Sequence, residues 1–173
     1  VVDTTAPVIT VTGSNVTLER GSNYTDSGAT ASDLSGAISV VTTGTVDITK
    51  NGTYTITYTA TDASNNSSTA SRTVTVVDTV SPVVTVPDAN RTFERGTPFT
   101  EKDEVTAVDT YGAFSNALSV VRSGNLDTNT AGTYTLTYTA TDEAGNTGTG
   151  TRTVIVVDTV SPVVTVPDAN RTF

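Results

Sequence analysis

The fold is decided by the stretch Gly52-Thr-Tyr-Thr-Ile-Thr-Tyr-Thr-Ala-Thr-Asp62, which returns as Gly132-Thr-Tyr-Thr-Leu-Thr-Tyr-Thr-Ala-Thr-Asp142. In both copies, apolar or aromatic residues alternate with threonine. A period of two is typical of a β-strand with one face toward a core and the other toward water. The β-branched threonine side chain suits such a strand and disfavours a helix. We therefore expect an all-β protein.

The repetition extends over the rest of the chain. Val1-Val-Asp-Thr-Thr-Ala-Pro-Val-Ile-Thr10 has counterparts at residues 76–85 and 156–165, so the repeats are 75 and 80 residues long. The five extra residues of the second repeat fall mostly beside Asp109-Thr-Tyr-Gly-Ala-Phe114, where we expect a loop to absorb them. The predicted domains are 1–77 and 78–157, followed at 158–173 by the first strands of a third, truncated repeat.

Residues 156–173 reproduce residues 76–93 without a change. One interpretation is that the chain is a piece of a longer array, so that neighbouring repeats are its main partners. The other is that residues 156–173 form a strand that completes another copy of the chain by β-strand addition.

Glycine, asparagine and aspartate turns divide each repeat into about seven short strands. This count is typical of an immunoglobulin-like sandwich, and we predict tandem β-sandwiches arranged end to end. Besides the stretch quoted above, the strand candidates of the first repeat are Val8–Val11, Val16–Glu19, Tyr24–Ala31, Ile38–Thr43, Gly44–Ile48 and Thr69–Val77.

The chain resembles bacterial immunoglobulin-like surface domains, which are related to HYR domains and occur in tandem in large adhesins. The residues that carry the resemblance are Val2 to Pro7, Tyr24 to Ala31, Gly52 to Asp62 with Asn66, and Arg72 to Asp78, together with their counterparts in the second repeat. The resemblance implies an extracellular location at the cell surface and a role as a spacer or stalk. One departure is Glu101 to Val105, which replaces Asp26 to Ala29 and puts the role of that segment in doubt for the second repeat.

Two tyrosines occupy a position that resembles the tyrosine corner of sandwich folds. Tyr54 and Tyr134 stand near the start of the predicted sixth strand, two residues before Ile56 and Leu136. An ordinary inward-facing aromatic residue is the alternative interpretation.

Acidic residues recur at corresponding turns of the repeats. If the strands run alternately up and down, the start of the first strand shares a pole with the loops after strands two, four and six. Oxygen ligands from several loops suit Ca²⁺, and the chain has neither His nor Cys to favour a transition metal. The candidate ligands are Asp3, Asp33, Asp62 and Asn66 in the first repeat, Asp78, Asp109, Asp142 and Asn146 in the second, and Asp158 in the third.

An alternative remains open for these residues, because Asp and Asn are common in turns without any metal. The resemblance favours calcium, since some adhesin arrays of this kind use linker carboxylates to hold Ca²⁺ at domain junctions. Glu19 and Glu94 would approach the next junction from the opposite pole.

The composition excludes several classes of function. Eighteen acidic residues against nine basic ones give a net charge of −9, which disfavours nucleic acid and anionic membranes as partners. The chain has no apolar run of the roughly 20 residues that a membrane helix needs, so we expect no direct membrane insertion. Without His or a phosphate-binding glycine loop, we expect no enzyme.

Two other functions compete with the spacer. A module that binds carbohydrate or protein would present exposed aromatic residues, for which Tyr111 and Phe114 are the candidates. A subunit of a self-assembling filament would use residues 156–173.

Overall fold

The computed structural model describes residues 2–34, 36–101 and 105–165. Every regular element in these ranges is a β-strand, which confirms the predicted all-β class. The described residues contain no helix that is long and apolar enough to span a membrane.

Each repeat contributes seven strands in the described part of the chain, as expected for an immunoglobulin-like sandwich. In the first repeat they are β1 (Val8–Val11), β2 (Val16–Glu19), β3 (Ala29–Asp33), β4 (Gly36–Ile38), β5 (Val40–Thr43), β6 (Gly52–Thr61) and β7 (Ser67–Val77). In the second they are β8 (Val83–Thr85), β9 (Asn90–Glu94), β10 (Thr106–Tyr111), β11 (Phe114–Leu118), β12 (Val121–Ser123), β13 (Gly132–Thr141) and β14 (Thr147–Val157).

The strands of the first repeat form two sheets, ordered β1-β3-β4 and β2-β7-β6-β5, and the second repeat has the equivalent sheets β8-β10-β11 and β9-β14-β13-β12. β2 runs parallel to β7, with Glu19 beside Val77, whereas the other pairs described in the first repeat are antiparallel. The expected alternation of up and down strands is therefore wrong. The chain passes from one sheet to the other between β1 and β2, where Gly13 has a φ of 85°.

Three strand predictions need correction. The segment 24–31 is irregular up to Gly28, and β3 begins only at Ala29. Asp26 accepts a hydrogen bond from the amide of Gly28, whose φ is 75°. The segment 38–43 divides into β4 and β5, which belong to different sheets. The segment 44–48 is not a strand, and Gly44 at its start has a φ of 101° and lies against the backbone of Thr55.

The extra residues of the second repeat lengthen a hairpin and do not form the expected loop. In the first repeat β3 and β4 are joined by a short turn at Leu34. In the second repeat β10 continues to Tyr111, and β11 begins at Phe114 after a turn at Gly112.

The core of each sandwich comes from the alternating stretches that predicted the fold. Ile56, Tyr58 and Val74 form the buried cluster of the first repeat. Leu136, Tyr138, Val154 and Val156 form that of the second. Their burial confirms that the apolar members of the alternation face inward.

Tyr54 and Tyr134 have the geometry of the tyrosine corner. The Tyr54 hydroxyl donates to the carbonyl of Lys50, and that of Tyr134 donates to the carbonyl of Thr130, each at 2.8 Å. Both bonds reach back to the backbone four residues upstream, as the tyrosine corner does.

An ion pair lies beside each core and was not expected from the sequence. Arg72, which is 2% exposed, pairs with Asp26, and Arg152, which is fully buried, pairs with Glu101. The Tyr58 and Tyr138 hydroxyls donate to the same two carboxylates. Glu101 thus takes the place of Asp26, so the doubt raised by the departure at residues 101–105 is removed for this residue. Lys102 to Glu104 lie outside the described residues.

The chain divides into two compact units. The first comprises Val1–Pro82, Val108–Leu118 and Thr141–Thr147, and the second comprises Val83–Ala107, Ser119–Ala140 and Gly148–Phe173. This division follows spatial contacts, so the domain boundaries given from the sequence stay predictions. Residues 166–173, on which much of the predicted third repeat and assembly strand falls, lie outside the described residues.

Candidate metal centre

The structure brings six of the nine predicted ligands into two clusters. Asp3, Asp33 and Asp62 form one, and Asp78, Asp109 and Asp142 form the other. Within each cluster, one carboxylate oxygen of each residue lies within 4.8 Å of the others. All six residues belong to the first unit. The topology explains the convergence, because one aspartate precedes the first strand of its repeat, one lies in the third, and one follows the sixth.

The third residue of each cluster is fixed by a tight turn. Asp62 Oδ1 accepts hydrogen bonds from the amides of Ser64 and Asn66 at 2.8 Å, and Asp142 Oδ1 accepts one from the amide of Asn146 at the same distance. These bonds hold both carboxylates in place. Hydrogen bonds from the Asn66 side chain, then from the amides of Asn66 and Ser64, lower the pKa of Asp62 against the effect of burial.

The two predicted asparagine ligands act as hydrogen-bond donors in the structure. Asn66 Nδ2 lies 2.8 Å from Asp62 Oδ2 and 3.1 Å from the carbonyl of Asp3. Asn146 Nδ2 makes the equivalent bonds to Asp142 and to the carbonyl of Asp78. Each asparagine therefore ties the turn after the sixth strand to the segment before the first strand, and supports the cluster from outside.

Asp109 is the most buried member of either cluster. It is 2% exposed, and its Oδ1 atom has no hydrogen-bond partner among the described residues. Burial raises the pKa of Asp109, and the negative charges of Asp78 and Asp142 raise it further, while Arg20 opposes the shift. A buried carboxylate oxygen without a partner is costly unless a proton or a cation compensates it. This oxygen therefore fits a cation ligand.

Arg20 brings a positive charge to the second cluster. Its Nη1 atom lies 3.4 Å from Asp78 Oδ2 and 4.0 Å from Glu143 Oε2, and its Nε donates to the carbonyl of Thr49. The pattern of alternating residues gave no signal of this contact, because it joins positions 58 residues apart. One guanidinium faces four carboxylates here, so a large negative charge remains.

Asp158 is not in a three-carboxylate cluster of the described residues. Its Oδ2 atom lies 3.0 Å from Arg95 Nη1, which repeats the pairing of Asp78 with Arg20. Glu94 accepts bonds from the amide and hydroxyl of Thr159, and these bonds lower its pKa. The predicted approach of Glu19 and Glu94 to the segment that starts the next repeat is present in both cases, since Glu19 holds Thr79 in the same way.

Tyr111 and Phe114, the two candidates for a binding face, differ in their exposure to solvent. Tyr111 is 7% exposed, and the Arg20 guanidinium carbon lies 3.9 Å from its ring centre. Phe114 is 44% exposed, and its ring stacks on the ring of Tyr111 at a centroid distance of 5.6 Å. Tyr111 is thus not available as a platform for a sugar ring.

Two seven-stranded sandwiches with repeated carboxylate turns define a tandem immunoglobulin-like repeat protein. The family described as "Bacterial surface protein, Ig-like domain" matches residues 9–76 and 87–156. The chain belongs to this family, as the resemblance indicated, and it is therefore a surface-type repeat.

Two curated relatives are hyalins of sea urchins. Hyalin of Strongylocentrotus purpuratus is 37% identical over 185 residues, which cover 98% of this chain and 15% of that protein. Hyalin of Lytechinus variegatus is 41% identical over 120 residues, covering 65% of this chain and 22% of that protein. The chain spans less than a quarter of the length of either relative.

Among solved structures, Drosophila N-cadherin EC1-4 is 16% identical with a TM-score of 0.42, and the match covers 89% of this chain and 50% of that chain. The lipoprotein BT2262 from Bacteroides thetaiotaomicron is 14% identical with a TM-score of 0.40, over 83% of this chain and 97% of that chain.

Proposed function

We propose that this chain is a non-catalytic spacer of an extracellular surface protein, and that Ca²⁺ held by Asp78, Asp109 and Asp142 stiffens it where one repeat follows another. The observation that carries the proposal is the buried Asp109 Oδ1 atom, which has no partner in the described residues and lies in a cluster of three carboxylates.

The donor set favours calcium over other metals. Each of the three carboxylates offers one oxygen to the cluster, and Ca²⁺ takes about six to eight oxygen ligands, which carbonyls and water can complete. The chain contains neither His nor Cys, whose nitrogen and sulfur atoms zinc and copper prefer. Burial, and then the repulsion of Asp78 and Asp142, raises the pKa of Asp109, and a divalent cation would offset both.

Calcium binding would couple the parts of the chain that supply the ligands. Asp78 follows β7 and precedes β8, so it stands at the connection of the two repeats, while the other two ligands come from the second repeat. An ion that binds the folded state alone stabilises it by RT ln(1 + c/Kd), where c is the free ion concentration, so the stabilisation grows with the logarithm of c once the site is filled. Ca²⁺ at this position would therefore restrain the connecting segment and make an array of such repeats stiffer.

A second, weaker site is expected at Asp3, Asp33 and Asp62. Its carboxylate oxygens meet the same 4.8 Å limit, and Asp33 Oδ2 is also buried without a partner among the described residues. Asp3 and Asp33 are only half-buried as residues, however, so less desolvation would be relieved there. Residues of a preceding repeat would occupy the position that Arg20 has beside the second cluster.

The spacer is favoured over the carbohydrate- or protein-binding module by the burial of Tyr111. Ring faces that bind sugars must be open to solvent, whereas this ring is covered by Arg20 and Phe114. The Tyr111 side chain therefore serves packing within the first unit.

Thermal unfolding with and without calcium tests the proposal. At ten times its dissociation constant, Ca²⁺ adds about 1.4 kcal/mol, which raises the Tm of a domain of this size by about 5–10 °C. We expect this rise in the full chain in millimolar CaCl₂ relative to a chelator. In Asp109→Asn most of the rise should be lost, because only the weaker site remains.

The matched control is Asp88→Asn, which makes the same change of charge at an exposed residue outside both clusters. Its φ of 47° suits asparagine as well as aspartate, so the calcium effect should be retained. A Tm that does not respond to calcium in the unaltered chain would refute the metal part of the proposal.

A further inference from the structure

A contact within the first unit joins the turn after β2 to the long hairpin of the second repeat. Arg20 stacks on Tyr111 with its guanidinium carbon 3.9 Å from the ring centre. A cation over an aromatic face is attracted by the ring quadrupole, most strongly where both groups are buried. Arg20 is 8% exposed and Tyr111 is 7% exposed, so both groups are buried.

The backbones meet beside this stacked pair. A Cβ atom on Gly21 would lie 2.5 Å from the carbonyl oxygen of Tyr111, and one on Gly112 would collide with the backbone of Gly21. Only glycine permits so close an approach at these two positions. The contact is therefore specific in shape, since it needs Arg-Gly on one side and Tyr-Gly on the other.

The second repeat carries the same Arg-Gly turn, without an aromatic ring stacked on it among the described residues. Arg95 and Gly96 follow β9 as Arg20 and Gly21 follow β2, and Gly96 has nearly the same φ, 81° against 78°. No described atom lies within 4 Å of a Cβ built on Gly96. The Arg95 side chain is 53% exposed, compared with 9% for Arg20.

The start of a matching partner is already bound beside this turn. Asp158 pairs with Arg95, and Thr159 with Glu94, as Asp78 and Thr79 do with Arg20 and Glu19. Residues 156–173 are identical to 76–93, which open the repeat with the long hairpin. A repeat of that kind, joined through residues 158–173, would present a tyrosine and a glycine at Arg95 and Gly96.

We propose that Arg95 and Gly96 form a docking face for a further repeat of the long-hairpin kind. The partner is another copy of the second repeat, recognised by its Tyr-Gly turn. A repeat of the first kind lacks the tyrosine, because its hairpin turns at Leu34 directly after Asp33, so it would not complete the face. The length of the hairpin in the following repeat thus decides whether that repeat can dock on Arg95 and Gly96.

This inference rests on the proposed array of repeats but not on calcium, so its test is done in a chelator. The full chain is extended after Phe173 by a copy of residues 94–157, which continues the sequence as in the second repeat. The probe is the NMR signal of the Arg95 Hε proton. A tyrosine ring stacked on the guanidinium should move it upfield of its position in the 173-residue chain.

Two variants make the result specific. In the first variant, leucine replaces the tyrosine of the added repeat that corresponds to Tyr111. The Arg95 signal should then return to its position in the 173-residue chain. Tyr111→Leu should instead move Arg20 Hε downfield and leave Arg95 Hε in place. An Arg95 signal that is unchanged in the extended chain, with the added repeat folded by its amide spectrum, would overturn the proposal. An Arg20 Hε chemical shift that stays the same in Tyr111→Leu would also overturn it.

Discussion

Nη1 of Arg72 lies 2.7 Å from Oδ1 of Asp26, with the arginine 2% exposed beside the core of the first sandwich. Tyr58 donates to the same carboxylate oxygen at 2.7 Å, and Tyr24 at 3.2 Å. A buried charge is tolerated only when it is paired and hydrogen-bonded, and this group meets that condition. The pair with Glu101 in the second repeat shows that the arrangement belongs to both sandwiches.

Removing the charge of Asp26 should destabilise the first sandwich strongly. Asp26→Asn leaves the Arg72 guanidinium buried without its counter-ion, which costs about 3 kcal/mol. Urea unfolding measures the loss. The double variant Asp26→Asn with Arg72→Met should recover much of it, because the buried charge is then absent. A loss below about 1 kcal/mol in the single variant would show that the pair is not buried as described.

The same pair should make the first sandwich sensitive to acid. Burial raises the pKa of Asp26, but hydrogen bonds from Tyr58 and Tyr24 and the charge of Arg72 outweigh it and lower the pKa below the usual 3.8. A carboxyl whose pKa is lowered by folding contributes stability above its unfolded pKa and loses it as the pH falls through the folded value.

The free energy of unfolding should therefore be level near neutral pH and fall below about pH 4. Urea titrations at several pH values between neutrality and pH 3 measure this slope. In Asp26→Asn the slope should be smaller, because one of the titrating groups is gone. Equal slopes in the two proteins would contradict the role given to this carboxyl.

Two glycines at equivalent positions allow the contribution of the long-hairpin contact to stability to be measured. Gly21→Ala and Gly96→Ala both place a side chain in the left-handed region, at about 1–2 kcal/mol each. Gly21→Ala should cost more, because its Cβ also meets the carbonyl of Tyr111. Calorimetric unfolding of the two variants gives the difference. Equal losses would mean that the hairpin does not rest on this turn.

The sequence predicted the strands whose alternation is long enough to identify by itself. β6 and β13, at Gly52–Thr61 and Gly132–Thr141, match the stretches from which the fold was inferred. The shorter elements were less well predicted. Positive φ values at Gly28 and Gly44 break the candidate strands there, and a glycine permits such a turn without requiring it.

The carboxylate clusters were predicted although the strand order used to derive them was wrong. Asp3, Asp33 and Asp62 converge because the ends of the strands that carry them share one pole in the observed topology as well. The buried arginines were missed, yet the signal was present. Arg72 is in phase with Val74 and Val76 along β7, so the alternation places it on the core face. Its partner is far away in the sequence and could not be read from the pattern.

The contact between Arg20 and Tyr111 was beyond reach from the sequence. It depends on how the extra residues of the second repeat extend a hairpin, and the length of an insertion does not reveal whether it forms a loop or longer strands. For the same reason the burial of Tyr111, one of the two candidates for a binding face, could not be foreseen.

Calcium titration by isothermal calorimetry detects the proposed ion binding itself. We expect calcium to bind the full chain, with the tighter site lost in Asp109→Asn and kept in Asp88→Asn. Asp33→Asn should remove only the weaker site. An absence of binding at millimolar calcium, or a tight site that survives Asp109→Asn, would contradict the assignment of the ion to Asp78, Asp109 and Asp142.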